Sequence, residues 1–389
     1  MNGQVDGHSG RFCIVGAGLS GAVIARALAE AGQGVLVVDE RDHIGGNCHT
    51  ARDAASGIML HTYGPHIFHT DDDEVWQYVN RFATMRHYPH RVRATTKGRV
   101  FSLPLNLLTI NQVFGKTFGP AEARAFVRSL AEDIAAPRNF EEQALSMVGR
   151  ELYEAFFEGY TRKQWGLAPT QLPASILKRL PLRFDYNDSY FAHRHQGIPE
   201  HGYTAMVERI LDVPNVEIRL KTGFEGLDET FAHVIYTGPL DRYFGFSLGR
   251  LPYRTLHFEK FQYDGDYQGT AVMNYCDADT PFTRITEHKH FAPWELRSDG
   301  PSVCYREFSA SCGENDIPYY PIRLADEERL LSQYVALADE TPGVTFVGRL
   351  GTFRYLDMDV TIREALGAAE GLKAAIARNE PPPAFFTRP

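Results

Sequence analysis

The stretch Phe12-Cys13-Ile14-Val15-Gly16-Ala17-Gly18-Leu19-Ser20-Gly21 decides the fold of this chain. Four apolar residues read as a short buried strand, and the six that follow fit G-x-G-x-x-G. Ala22 to Ala31 reads as a helix, and Val35 to Val38 as a second strand ending at Asp39-Glu40. Each glycine has a physical task in a dinucleotide-binding βαβ unit. Gly16 allows the tight turn, Gly18 lets the backbone approach a pyrophosphate, and Gly21 lets helix and sheet pack closely. The helix N-terminus then offers unpaired N–H groups and a positive dipole end to phosphates. Asp39 lies eighteen residues beyond Gly21, where a carboxylate can accept from ribose hydroxyls.

A second glycine pair follows in His43-Ile44-Gly45-Gly46-Asn47. A Gly-Gly soon after the ribose acid resembles the flavoprotein version of this fold, which moves the expected cofactor from NAD to FAD. An ordinary turn is the other reading of Gly45-Gly46.

Composition narrows the remaining choices. The chain has 389 residues, 43% hydrophobic and 23% charged, the profile of a globular protein with a sizeable core. Its net charge is -9 and no long basic run occurs, so neither nucleic acid nor an acidic membrane is an expected partner. An anionic ligand needs a local arginine cluster working against that overall charge. The five cysteines, Cys13, Cys48, Cys276, Cys304 and Cys312, form no C-x-x-C, so neither a disulfide framework nor a zinc site is expected. Histidine pairs at His193/His195 and His288/His290 lack supporting acids or cysteines, and no metal is assigned. No apolar run reaches the length of a spanning helix. Met1 to Arg11 lacks a signal-peptide core and reads as a disordered lead-in, which points to the cytoplasm.

Further along, Asp71 to Phe82 reads as a capped helix and Tyr88 to Ser102 as a hairpin around Thr96-Lys97-Gly98. Ala121 to Glu132 and Gln143 to Tyr160 carry helical periodicity. Gly202 to Leu211 reads as a helix, Val216 to Leu220 and His233 to Tyr236 as strands. Short, alternating aromatic segments from Thr255 to Tyr305 suit an antiparallel sheet. Asp326 to Ala338 is a helix, Thr345 to Gly348 a strand and Val360 to Arg378 a closing helix. The proline-rich tail from Pro381 is expected to fray. The fold class is α/β: a discontinuous Rossmann-like FAD-binding domain (11–85, 203–251 and 326–376), an inserted helical bundle (86–172) and an antiparallel sheet domain (173–202 and 252–325).

Several runs carry a resemblance to the UDP-galactopyranose mutase family over nearly the whole chain. They are Tyr63-Gly64-Pro65-His66-Ile67-Phe68-His69-Thr70, Gly159-Tyr160-Thr161-Arg162-Lys163-Gln164-Trp165-Gly166 and Lys178-Arg179-Leu180-Pro181-Leu182-Arg183-Phe184. Tyr236-Thr237-Gly238-Pro239, Thr283-Arg284-Ile285-Thr286-Glu287, Pro318-Tyr319-Tyr320-Pro321 and Arg354-Tyr355-Leu356-Asp357-Met358 extend the match. The resemblance implies an isomerase that interconverts UDP-galactopyranose and UDP-galactofuranose for cell-surface glycans. In that family N(5) of reduced FAD attacks the anomeric carbon, so an external reductant is implied, and homodimers are common.

The same resemblance assigns residues. His66 lies beside flavin N(5), and Arg349, Asp357 and Met358 join Gly16, Gly18, Gly21, Asp39, Gly45, Gly46 and Asn47 around the cofactor. Arg183 and Arg284 grip the diphosphate, a task suited to a planar fork of donors. Arg254 is a further arginine near the sugar nucleotide. Tyr190, Tyr320 and Tyr355 donate to the same diphosphate without adding charge. Tyr160 and Trp165 flank the uracil, where base–aromatic stacking is worth roughly 1–3 kcal/mol, and Asn274 lies near the nucleotide. His66, Arg183, Arg284, Arg349 and Tyr355 form the catalytic set. Plainer alternatives stay open: His66 as a core histidine, the tyrosines as packing, Tyr160 and Trp165 on a buried helical face, and Asp357 as an N-cap. Leu356 departs from the family, since many relatives carry a second tyrosine there. The same chemistry on UDP-N-acetylgalactosamine or a dTDP-deoxysugar, or a flavin oxidoreductase of the amine-oxidase type, are the alternative functions.

Overall fold

A computed structural model describes residues 10–179, 182–295, 300–323 and 325–389. The lead-in Met1 to Ser9, and Leu180-Pro181 within the third family run, lie outside the described residues.

The opening strand Phe12–Val15 is the centre of a five-stranded parallel sheet. Across the sheet the order is Val216–Leu220, Val35–Asp39, Phe12–Val15, His233–Tyr236, Val344–Phe346. Phe12 pairs with Val35 on one side and His233 on the other. A parallel sheet is covered on both faces, which is why its central strands read as unbroken apolar runs. On one face the helix Leu19–Glu30 packs against the closing helix Met358–Arg378. Ala22, Ala25 and Ala29 face Ala365, Ala368 and Leu372 within one buried cluster, and small residues let the two backbones approach. The other face is aromatic, with Tyr236, Tyr334, Phe346 and Phe353 buried together.

The turn between strand and first helix obeys the glycine logic. Gly16 has φ +108°, and a Cβ there would stand 2.0 Å from Thr237 Oγ1. A Cβ on Gly21 would stand 2.0 Å from the Gly16 carbonyl and 3.0 Å from Ile14 Cγ2. Gly21 therefore serves helix–strand packing, beneath the ligand face.

The second region is helical. Leu107–Phe114, Pro120–Leu130 and Phe140–Tyr153 are α-helices, and a π-turn over Glu154–Glu158 leads into Gly159–Trp165. The expected helix over 143–160 thus runs five residues further, to Trp165, with an interruption. Gly149 has φ +74° and ψ 173°, and a Cβ there would collide with the Leu130 carbonyl. Helical periodicity alone does not reveal that break.

A seven-stranded sheet forms the third region. Its order is Tyr320–Pro321, Tyr253–Tyr263, Ser302–Ser311, Arg284–Glu287, Val272–Tyr275, Val92–Thr96, Arg99–Leu103. The last two strands are the predicted hairpin, with Lys97 and Gly98 at positive φ in its turn. They fall inside the range 86–172 given to the helical insertion, yet they extend this sheet through parallel pairing of Val92–Thr95 with Val272–Tyr275. Such pairing between distant segments leaves no local sequence trace. His195–Pro199, placed with the sheet domain, pairs instead with Phe68–Thr70 and Met85–His87. The helix Gly159–Trp165 is fastened to the large sheet by Lys163, whose Nζ donates to the carbonyls of Tyr275, Asp277 and Phe282 at 2.7, 2.8 and 3.2 Å.

Arg11 and the tail correct the sequence reading. Arg11, assigned to the disordered lead-in, pairs with Glu217 and Glu229. The tail is not frayed: Phe346 N–H donates to the Ala384 carbonyl at 2.8 Å, and Phe385 is buried against Phe346.

Gly21→Ala forces a methyl into the Gly16 carbonyl, and overpacking of this kind costs about 1–3 kcal/mol. Thermal melting is expected to show a lowered Tm together with earlier release of bound flavin; an unchanged melt refutes the packing role.

Candidate active site

Two cavities lie side by side. The first is bounded by Gly16, Gly18, Asp39, Gly45, Gly46 and Asn47, with Thr237 and Gly348 across from them. These positions follow from the βαβ unit, whose turn and second strand end meet at one sheet edge. Gly18 and Gly46 face each other closely enough that a Cβ on Gly46 would sit 3.1 Å from Gly18 Cα, so two backbones form a bare cradle. The first helix has no side-chain cap at Gly18, which leaves its N–H groups for an anion. Asp39 accepts from Ala17 N–H at 2.8 Å and Arg41 N–H at 2.9 Å, so it also ties the glycine turn in place. Arg41 is a residue the sequence reading missed. Its guanidinium donates to Asn47 Oδ1 at 2.9 Å and lies 4.6 Å over the Tyr63 ring, and its Nη1 is buried with no partner in the structure. A bare glycine cradle, an open helix terminus and an unpartnered N–H group of a guanidinium suit a dinucleotide with a diphosphate, and they fit FAD.

The second cavity takes its walls from all three regions. Tyr160 comes from the helix after the π-turn, Asn274 and Arg284 from neighbouring sheet strands, and Tyr320, Tyr355 and Asp357 from the chain beyond. Tyr190 and His90 complete one side. Arg284 and Glu307 stand opposite each other in register, and Nε lies 2.8 Å from Oε2. Burial opposes the charge on Arg284, but Glu307 outweighs it and holds the guanidinium protonated. Burial raises the phenols of Tyr160 and Tyr320, so each remains a proton donor at neutral pH. Asn274 and His90 line this cavity, and Asn274 Oδ1 and His90 Nδ1 are buried without a partner in the structure.

Three residues line both cavities: His66, Arg349 and Met358. His66 Nδ1 lies 2.8 Å from the Gly64 carbonyl, so it carries the ring proton and Nε2 is left as an acceptor. Burial pushes this imidazole down to about 4, and it is neutral at physiological pH. Arg349 donates through Nε and Nη2 to the Leu356 carbonyl at 3.2 and 2.6 Å, and lies 5.0 Å over Tyr355 and 5.7 Å over Tyr320. Leu356 is buried and faces the first cavity, so a hydroxyl missing there is not missing from the second. Asp357 occupies the N-cap position of the closing helix without making a side-chain cap bond, and it lines the second cavity.

Besides Gly21, which lies beneath the glycine turn, three predicted residues are not brought to either cavity. Arg183 donates through Nη1 to the carbonyls of Asn187 and Ser189, and its Nη2 is buried with no partner in the structure. Trp165 packs against the cluster around Phe140, Tyr153 and Leu172. Arg254 is buried and donates to the Gln164 carbonyl at 3.0 Å, to Ser309 and Ser311 hydroxyls at 3.2 Å and to the Lys163 carbonyl at 3.4 Å. It closes the C-terminal end of the helix Gly159–Trp165 onto the sheet, a positioning task that residue type alone does not distinguish from ligand binding. Among the described residues, Asp266, Glu287 and His290 form the one group close enough for a metal. Lys289 already pairs with Asp266 at 2.6 Å, and Glu287 already accepts from Tyr267, Gln268 and Ser302.

Comparison with known proteins gives this geometry a context. The model of the UDP-galactopyranose mutase family matches residues 155–355, and that of the NAD(P)-binding Rossmann-like domain matches 14–82. A probable UDP-galactopyranose mutase of Klebsiella pneumoniae is 59% identical over 374 residues, 96% of this chain and 97% of its own. The chain belongs to the UDP-galactopyranose mutase family. Another relative of the family member described here, the dTDP-fucopyranose mutase of Escherichia coli, is 50% identical over 92% of this chain and 97% of its own. A crystal structure of reduced UDP-galactopyranose mutase shares the fold at TM-score 0.70 and 14% identity, covering 94% of this chain and 96% of its own. This mutase family is flavin-dependent, and the cradle in the first cavity suits a dinucleotide cofactor. No helix among the described residues is long and apolar enough to cross a membrane.

Burial holds His66 down to about 4 and His90 and His288 to about 3. The unfolded chain protonates these groups below about 6.5, while the folded chain refuses the protons. The unfolded state therefore binds more protons in that window, and stability falls as pH drops from about 6.5 towards about 4. Tm measured from pH 7 to 5 is expected to decline, and His90→Phe, which removes one such group, is expected to flatten the decline.

Proposed function

We propose that this protein interconverts UDP-galactopyranose and UDP-galactofuranose on reduced FAD, in the supply of galactofuranose for cell-surface glycans. The observation that carries this reading is the shared wall of His66, Arg349 and Met358 between a dinucleotide cavity and a cavity built for an anionic, hydroxyl-rich ligand. When bound, the reduced flavin supplies the nucleophile for the anomeric carbon.

The chain's own residues do the rest. Arg284, kept charged by Glu307, meets the nucleotide diphosphate and steadies its negative charge as the sugar departs. Tyr190, Tyr320 and Tyr355 stand around the same place, and Tyr320 and Tyr355 stack at 5.5 Å. Phenols donate there without repelling the arginine. Tyr160 provides a flat ring for the base, and Asn274 Oδ1 an acceptor for a nucleotide N–H or hydroxyl. Neutral His66, with its proton on Nδ1 toward the Gly64 carbonyl, keeps Nε2 as an acceptor for an N–H donor. Arg349, fixed by the Leu356 carbonyl, places a cation between the cavities and favours an anionic reduced cofactor. The five free cysteines fit a reducing cytoplasm, where an external reductant can charge the flavin.

The dTDP-fucopyranose mutase relative supports a second reading, the same chemistry on a dTDP-deoxysugar. A flavin oxidoreductase of the amine-oxidase type shares the scaffold, but the paired Arg284 and its tyrosines have no task with an uncharged amine. Purified protein is expected to bind FAD and, once reduced with dithionite, to convert UDP-galactofuranose to the pyranose with no net NADH consumed. Faster turnover of dTDP-fucofuranose in the same assay selects the second reading, and stoichiometric NADH oxidation selects the oxidoreductase. Arg284→Ala is expected to lower kcat by about 100-fold or more while FAD stays bound; flavin absorbance after gel filtration and the turnover assay check both halves.

A further inference from the structure

The turn that presents His66 hangs from a second histidine, this one fully buried. His61 ends the short strand Met59–His61 and is 1% exposed. Its Nδ1 accepts the backbone N–H of His66 at 3.2 Å. Its own backbone N–H donates to Nδ1 of His288 at 3.2 Å, and His288 is as deeply buried. The His61 carbonyl accepts from Gly64 N–H at 3.2 Å, closing a turn in which Gly64 has φ +95°. The Gly64 carbonyl then receives the ring N–H of His66. Both the amide and the ring of His66 are thus referred back to His61.

An imidazole whose Nδ1 accepts carries its proton on Nε2. For His61 and His288 alike, Nε2 is buried with no partner in the structure. Their surroundings are aromatic: the His61 ring lies 4.7 Å from Phe291 and 6.0 Å from Tyr203, and the His288 ring 4.4 Å from Tyr305. A hydrocarbon side chain would fill this space without stranding two N–H groups, and stranded donors carry a desolvation penalty. What a hydrocarbon lacks is an acceptor at a set point on a stiff ring. Burial keeps both rings neutral, so that acceptor is always available.

We propose that His61, backed by His288, is a positioning residue that holds the Tyr63–His66 turn so that His66 stays at the junction of the two cavities. The inference rests on the proposed role of that junction.

His61→Leu removes the acceptor, whereas His61→Asn keeps an oxygen close to where Nδ1 stands. Both variants are compared with the unsubstituted holoenzyme for FAD content, Tm, flavin midpoint potential, kcat and KM. His61→Leu is expected to retain FAD, to lose about tenfold or more in kcat with KM changed by less than about threefold, and to shift the flavin potential. His61→Asn is expected to restore most of kcat and of the potential. Equal impairment of the two variants, or a His61→Leu enzyme that matches the parent in kcat and potential, overturns the proposal. Should His61→Leu not fold, amide hydrogen exchange in the parent decides. The His66 amide is expected to exchange about tenfold or more slowly than the exposed turn amide of Gly98, and equal rates overturn the proposal. Potential and exchange are read without a nucleotide sugar, so an enzyme with no mutase activity would sink the function proposed above and leave this test standing.

Discussion

At residue 21 there is no room for a methyl group: the Gly16 carbonyl lies 2.0 Å from where it would stand. That close approach sets the path of the first helix over the first strand. From it follow the position of the helix terminus, the gap between Gly18 and Gly46, and the place of Asp39 at the end of the second strand. The closing helix, laid against the first through alanines, inherits its direction from the same contact. Its N-terminal residues Asp357 and Met358 consequently arrive beside His66 and Arg349. A local steric constraint thus reaches across the molecule because rigid elements carry it.

Electrostatics tell a complementary story. The chain is acidic overall, yet each cavity holds a half-buried guanidinium: Arg41 in the first, Arg284 in the second, with Arg349 between them. Arg284 and Glu307 form an ion pair, which keeps the arginine charged and aimed. The neighbouring histidines stay neutral through burial. Charge is therefore concentrated on the arginines of the two cavities and withheld from the histidines beside them.

Much of this was legible from residues in a row. The glycine motif, Asp39 and the apolar run Phe12–Val15 speak for the nucleotide-binding sheet because their tasks are local. Gly202–Leu211 and Val216–Leu220 match the expected helix and strand at both ends. The family runs brought His66, Tyr160, Arg284, Tyr320 and Tyr355 into one reading, and the structure places them around connected cavities. What stayed hidden depends on partners far off in the chain. Glu307 matters because it faces Arg284 across a sheet, and the hairpin 92–103 joins that sheet by pairing with strand 272–275. Arg254 looks like a ligand-binding arginine until its four hydrogen bonds are seen to go to a helix end and two serines. Trp165 shares its helix with Tyr160 but not its direction. The tail from Pro381 looked unstructured because prolines conceal that Phe385 docks on Phe346.

The strand order of the parallel sheet has a further consequence. Its members come from the first forty residues, from the middle of the chain and from the last fifty. During synthesis, the opening βαβ unit emerges long before its neighbour Val344–Phe346 and its covering helix Met358–Arg378 exist. For most of translation one apolar flank of that nascent unit has no cover, a situation in which chains are prone to aggregate or to wait on chaperones.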